Sequence, residues 1–247
     1  MSRYVGVTGF VSRDEVDFAL SFLPEGLTLM CGVLVSAKTL RGERNKWWRR
    51  YANPETMADI FSPDPRCLNL IHYCAGSAPD ERTLDHVSRL AGPDFHGFQF
   101  NGRWPTPEVL ASYGGIDVVL QLRPDGATGT MDRLRAAVGA MPECRSHVLL
   151  DVSGGRGLLL DPDVCDAWAM MIRGAFGNDV GLGFAGGLDA DNLPRIGHEV
   201  RTWDASIDAE GRLRDGDEGG VLNREKVRAY LRVAGEVMQA PTAPEKG

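Results

Sequence analysis

Lysine is scarce in this chain: Lys38, Lys46, Lys226 and Lys246 are the only four in 247 residues. Positive charge is therefore almost all arginine, which forms no Schiff base and binds anions through a planar fork of donors. Only Lys38 follows a candidate strand, so Schiff-base chemistry is disfavoured. The five cysteines (Cys31, Cys67, Cys74, Cys144 and Cys165) are odd in number and lack C-x-x-C spacing. That argues against a disulfide framework and points to a reducing compartment. With no H-E-x-x-H, no H-x-H and no paired C-x-x-C, no metal site is expected. A G-x-G-x-x-G turn is missing after the first strand, where the chain reads Val7-Thr8-Gly9-Phe10, which disfavours a dinucleotide-binding domain. No window approaches the ~18 apolar residues of a membrane span, and Met1 to Gly6 shows no signal-peptide core, so the expected location is cytoplasmic. Basic charge is not in excess either: 27 Lys+Arg against 34 Asp+Glu give a formal net charge of −7, no field for nucleic acid or an anionic membrane.

What is present is the composition of an ordinary globular protein, 43% hydrophobic and 25% charged, so the chain is neither disordered nor fibrous. Short apolar runs recur at Tyr4–Val7, Leu27–Val35, Leu68–Tyr73, Gly97–Phe100, Ile116–Leu122, His147–Leu150, Val180–Phe184 and Thr202–Ala205. Helical patterns lie between them. Ser12 and Glu15 have capping-box spacing before Val16, Asn53-Pro54 opens a segment to Ile60, Pro79 to Leu90 is amphipathic, and Thr106-Pro107 precedes Val109-Leu110. Gly129 to Met141, Asp161 to Phe176, Asp191 to His198 and Asn223 to Met238 complete the set. Eight β-α units in about 240 residues fit an α/β fold with a single (β/α)8 barrel, residues 1–238, followed by a flexible tail, 239–247.

In such a barrel the chemistry sits at the C-terminal strand ends. Those ends read Thr8-Gly9, Ser36 to Arg41, His72-Tyr73-Cys74, Gln99-Phe100-Asn101-Gly102, Gln121-Leu122-Arg123, Asp151 to Gly157, Ala185 to Leu188 and Asp204 to Asp208. His72 and Cys74 alternate on their strand and should face the same way, and His72 has the unperturbed pKa of a neutral-pH base. The run Arg44 to Tyr51 mixes bases with aromatics, and in an acidic chain it reads as a covering loop or a solvated face.

Four of these pieces, in order, resemble phosphoribosylanthranilate isomerase, a barrel that performs an Amadori rearrangement. Gly32-Val33-Leu34-Val35-Ser36-Ala37-Lys38-Thr39-Leu40-Arg41 is similar to that family's apolar run ending in Lys-Ser-Pro-Arg, and Gly97 to Gly102 to its Val-Gln-Leu-His-Gly. Leu149-Leu150-Asp151 with Gly154-Gly155-Arg156-Gly157 is similar to its Leu-Asp and Gly-Gly-Thr-Gly, and Gly183 to Leu193 to its Leu-Ala-Gly-Gly-Leu-x-x-x-Asn-Val.

The resemblance implies Asp151 as general acid on the sugar ring oxygen and Arg41 as the group orienting an anionic substrate. Gln99, Asn101 and Gln121 would line the substrate. Gly154, Gly155, Arg156, Gly157, Gly186, Gly187 and Ser206 would hold a phosphate, by the logic of backbone donors at helix starts. Two departures stand out. The family's basic cysteine corresponds to Thr8, which cannot act as a free base near pH 7, leaving His72 as a candidate base. In the strand-eight loop Asp208 stands where the family has glycine, beside the expected phosphate.

The function implied is an isomerase-like enzyme on a phosphorylated sugar or sugar–aromatic conjugate, related to tryptophan biosynthesis, with no cofactor. The alternatives are a barrel with a lyase-type reaction and a non-catalytic binder of a phosphoribosyl compound. The expected partner is a small anionic substrate, without nucleic acid or membrane, on a monomer or homodimer.

Overall fold

The computed structural model describes residues 3–123, 130–141, 145–152, 159–216 and 220–239. Eight parallel strands form a closed barrel: β1 (Tyr4–Thr8), β2 (Thr28–Ser36), β3 (Cys67–Ala75), β4 (Gly97–Gly102), β5 (Asp117–Leu122), β6 (Arg145–Asp151), β7 (Gly181–Ala185) and β8 (Ser206–Ala209). The ring closes where β8 pairs with β1, Gly6 opposite Asp208. The expected (β/α)8 barrel is thus the fold. Around it lie α1 (Arg13–Ser21), α2 (Ala37–Leu40), α3 (Glu81–Ala91), α4 (Pro107–Ala111), α5 (Thr130–Gly139), α6 (Pro162–Phe176), α7 (Gly197–Thr202) and α8 (Arg224–Gln239). Among the described residues no helix is long and apolar enough to cross a membrane. The expected 238/239 boundary falls at the last turn of α8, and residues 240–247 lie outside the described residues.

Local chemistry sets most of the helix starts. Asp80, Thr106 and Asp161 each cap a first turn through a side-chain oxygen that accepts a backbone N–H. Ser12 does the same from Glu15 N, but the Glu15 carboxylate takes Val11 N at 2.9 Å rather than the Ser12 amide, so only half of a capping box forms. The Asn53–Ile60 segment is a 3₁₀ helix, Pro54–Asp59.

The eighth strand differs from expectation by four residues. Thr202 ends α7, and the strand begins at Ser206. Asp204 takes the left-handed conformation (φ 48°), Asp204 N donates to Arg201 O at 3.3 Å, and Ala205 N donates to Val200 O at 2.9 Å. This is a Schellman closure with aspartate in the place usually held by glycine, so Val200, Thr202 and Trp203 belong to a helix end despite their strand-like composition.

The strands alternate between two cores. Outward residues such as Val5, Val7, Val33, Ile71 and Leu120 pack under the helices in one large cluster. Tyr4, Met30, Leu68, Leu70, Val119, Leu149 and Ala185 fill the barrel interior, each large side chain contributing about 1.5–3 kcal/mol by burial. Above this plug the inward positions turn polar.

Candidate active site at the barrel mouth

Inward positions toward the C-terminal strand ends carry Thr8 (β1), His72 (β3), Gln99 (β4), Gln121 (β5), Asp151 (β6) and Asp208 (β8), all buried. Two inward glycines make the room. A Cβ on Gly32 would lie 2.5 Å from Thr8 Oγ1, and one on Gly6 would lie 2.7 Å from Asp208 Oδ1.

Thr8 Oγ1 donates to Asp208, 3.0 Å from Oδ1 and 3.2 Å from Oδ2. Gln99 Nε2 donates to Asp208 Oδ2 at 3.2 Å and lies 3.3 Å from His72 Nδ1. With that amide donating to Nδ1, the neutral imidazole carries its proton on Nε2, an atom with no hydrogen-bond partner among the described residues. In that tautomer His72 presents a donor to the mouth. Gln121 Nε2 donates to Asp151 Oδ2 at 2.6 Å.

Burial pushes Asp208 up to about 7, against the hydrogen bonds from Gln99 and Thr8 and with the charges of Glu210 and Asp151 adding to the rise. Burial also lowers the His72 imidazole, opposed by Glu210 and Asp151. Cys74 faces the same way as His72, as the alternation requires, and burial first, then Glu210, raises its thiol to about 12, so it is no thiolate base. The Thr8 hydroxyl is committed as a donor.

Two groups at the mouth, Glu210 and Arg214, were not read as site residues in the sequence, and a third, Asp208, was read there in a different setting. Glu210 follows β8 and pairs with Arg50, bringing the end of the Arg44–Tyr51 run onto the mouth. Buried Arg214 donates Nη2 to Thr8 O at 3.2 Å and to Gly9 O, and burial lowers it to about 10, still cationic at neutral pH. Asp208 itself, expected in a loop, stands on the strand. The Ser206/Asp208/Glu210 alternation would have shown this, had α7 been ended correctly.

The other expected residues divide. Asn101 and Gln121 line a cleft of about 530 Å³ over β3 to β5. Arg41 is exposed and paired with Glu43 at 2.5 Å, because the two-residue spacing lets the local carboxylate reach it. Ser206 lies at the opposite end of the barrel, where Oγ accepts Tyr4 N at 3.0 Å and sits 3.4 Å from His147 Nε2; the four-residue displacement of β8 removes it from the mouth. Gly186 and Gly187 follow β7 with φ of 117° and 59°, and Gly187 O accepts Asn192 Nδ2 at 2.7 Å. Gly154, Gly155, Arg156 and Gly157 lie outside the described residues.

Fold and mouth together define a (β/α)8 barrel with a polar, ionisable mouth. No family model matches the chain, and no curated protein matches it in sequence. Among solved structures it is similar to the catalytic domain of a hyperthermophilic chitinase from Pyrococcus furiosus, with a TM-score of 0.59 and 10% identity over 97% of this chain and 96% of that one. At that identity the likeness establishes the fold, and that neighbour is a chitinase rather than the isomerase that the strand ends resemble.

Proposed function

We propose that the chain is an acid–base enzyme, an isomerase of the aldose–ketose or Amadori type, acting on a small phosphorylated sugar or sugar–aromatic conjugate. The observation that carries this reading is the arrangement of two proton-handling carboxyls, Asp151 held by Gln121 and Asp208 held by Thr8 and Gln99, on the floor of one barrel mouth. Ring opening and enolisation need one group to deliver a proton to the ring oxygen and another to take one from the neighbouring carbon. Asp151 supplies the first role, in line with the family resemblance. Asp208 supplies the second, because a carboxyl near pKa 7 exchanges protons at neutral pH with little cost in either direction. His72 Nε2–H donates to the substrate oxygen that gains charge.

The test is solvent-deuterium incorporation. Aldose phosphates and N-aryl aminosugar phosphates incubated with the protein in D₂O should gain deuterium at the carbon next to the carbonyl, and Asp151→Asn and Asp208→Asn should suppress it. Binding without exchange across the panel would leave a binder. Loss of a fragment without isomerisation would favour the lyase alternative, and hydrolysis of chitin would favour a glycosidase.

A further inference from the structure

The cleft over β4 and β5 is lined by three arginines, Arg103, Arg123 and Arg133, together with Asn101, Gln121 and Thr130, and among the described residues by no acidic side chain. Elsewhere arginines find carboxylates: Arg66 pairs with Asp64, Arg135 with Asp132, Arg145 with Asp117 and Arg232 with Glu236. Among the described residues none of the three cleft arginines has such a partner. Arg133 is instead fixed by neutral groups, its guanidinium 4.1 Å from the Trp104 ring centroid and its Nη2 3.4 Å from Gly102 O. Trp104 is anchored in turn, Nε1 donating to Gln121 O at 3.1 Å. Burial, and then the like charge of Arg103, lowers the Arg133 pKa, as expected where cations face one another without a counterion. The first turn of α5 also opens on the cleft at Thr130, and its own acid, Asp132, is engaged by Arg135 outside the lining.

We propose that this cleft binds the phosphomonoester group of the substrate. Three cations with no carboxylate partner among the described residues favour a dianion over a carboxylate, and guanidinium forks match phosphate oxygens in pairs. Gln121 ties the cleft to the chemistry, since its side chain both lines the cleft and donates to Asp151. A ligand anchored by its phosphate here extends over the acid. The inference rests on the acid–base reading for the word substrate, but its test reads binding alone, so either can fail without the other.

The experiment is calorimetry at low salt with inorganic phosphate, ribose 5-phosphate and neutral ribose. Saturable binding of ribose 5-phosphate, weaker binding of phosphate and none of ribose are expected. Arg123→Gln/Arg133→Gln should weaken ribose 5-phosphate by at least about tenfold. Arg135→Gln, which makes a charge change outside the cleft, should stay within about twofold. Unperturbed circular dichroism of the double variant excludes misfolding, and single Arg103→Gln provides a milder second variant expected to lose affinity in the same direction. Equal binding by the wild type and the double variant overturns the proposal, as does no binding at millimolar ligand. Loss with Gly187→Asp but not with the arginine variants also overturns it, and moves the anion to the loop after β7.

Discussion

The two ends of the barrel bury the same kinds of side chain and use them in opposite ways. At the N-terminal end, His147 packs 5.3 Å from the Tyr4 ring and fills the space that a side chain on Gly181 would need. Burial drives its pKa to about 3, and the buried Asp117 is matched by Arg145 at 2.9 Å. At the mouth, burial pushes Asp208 up to about 7, and among the described residues the cleft arginines stand without carboxylates. The same desolvation therefore moves His147 out of the range of biological pH and Asp208 into it. Burial alone does not mark a functional group; what separates His147 from Asp208 is whether the buried group still exchanges a proton near neutrality.

Four changes break or sharpen this contrast. The largest effect is expected from Asp151→Asn, which should cut deuterium exchange by about 10²–10⁴ while leaving the melting temperature nearly unchanged, because it removes a positioned proton donor and keeps the shape. Next comes pH. Asp208 binds its proton more tightly folded than unfolded, so its contribution to stability is largest below pH 3.8 and declines as pH rises toward 7, by up to about 4 kcal/mol. His147 has the opposite sign: its contribution is present above 6.5 and is lost as pH falls toward 3. Denaturant titrations from pH 4 to 8 should show Asp208→Asn more stable than the wild type at pH 8 and steeper in its acid loss, and His147→Gln shallower; parallel curves would end the comparison.

Gly181→Ala should destabilise by about 1–3 kcal/mol without altering exchange kinetics per folded molecule, since its new Cβ would lie 2.1 Å from His147 Cε1. The smallest effect belongs to Arg135→Gln, where an exposed ion pair contributes at most about 1 kcal/mol to the melting free energy.

The barrel was legible because its signal is local and repeated: apolar runs of strand length, each followed by a capped amphipathic segment. Asp151, His72, Gln99 and Gln121 were legible for the same reason, standing at strand ends whose limits the sequence marks well. What failed was tied to one cap. Aspartate at the left-handed position after α7 hid the start of β8, and with it the inward positions of Asp208 and Glu210 and the displacement of Ser206 to the other end. Arg41 pairs with a carboxylate two residues away, a local contact that the strand pattern does not show. The arginine cleft draws on β4, β5 and α5, and convergence of side chains from three elements leaves no trace in any one stretch of sequence.

Closure of the ring has a consequence for when this chemistry comes into being. Thr8 and Asp208 are 200 positions apart and touch only because β8 docks against β1. During synthesis the first strand must wait for the last before its hydroxyl meets the carboxylate, so a chain stopped before α7 holds Asp151 but no partner for Thr8. The Thr8–Asp208 contact is thus a property of the finished ring alone, and its formation in a refolding experiment would time the final strand's arrival.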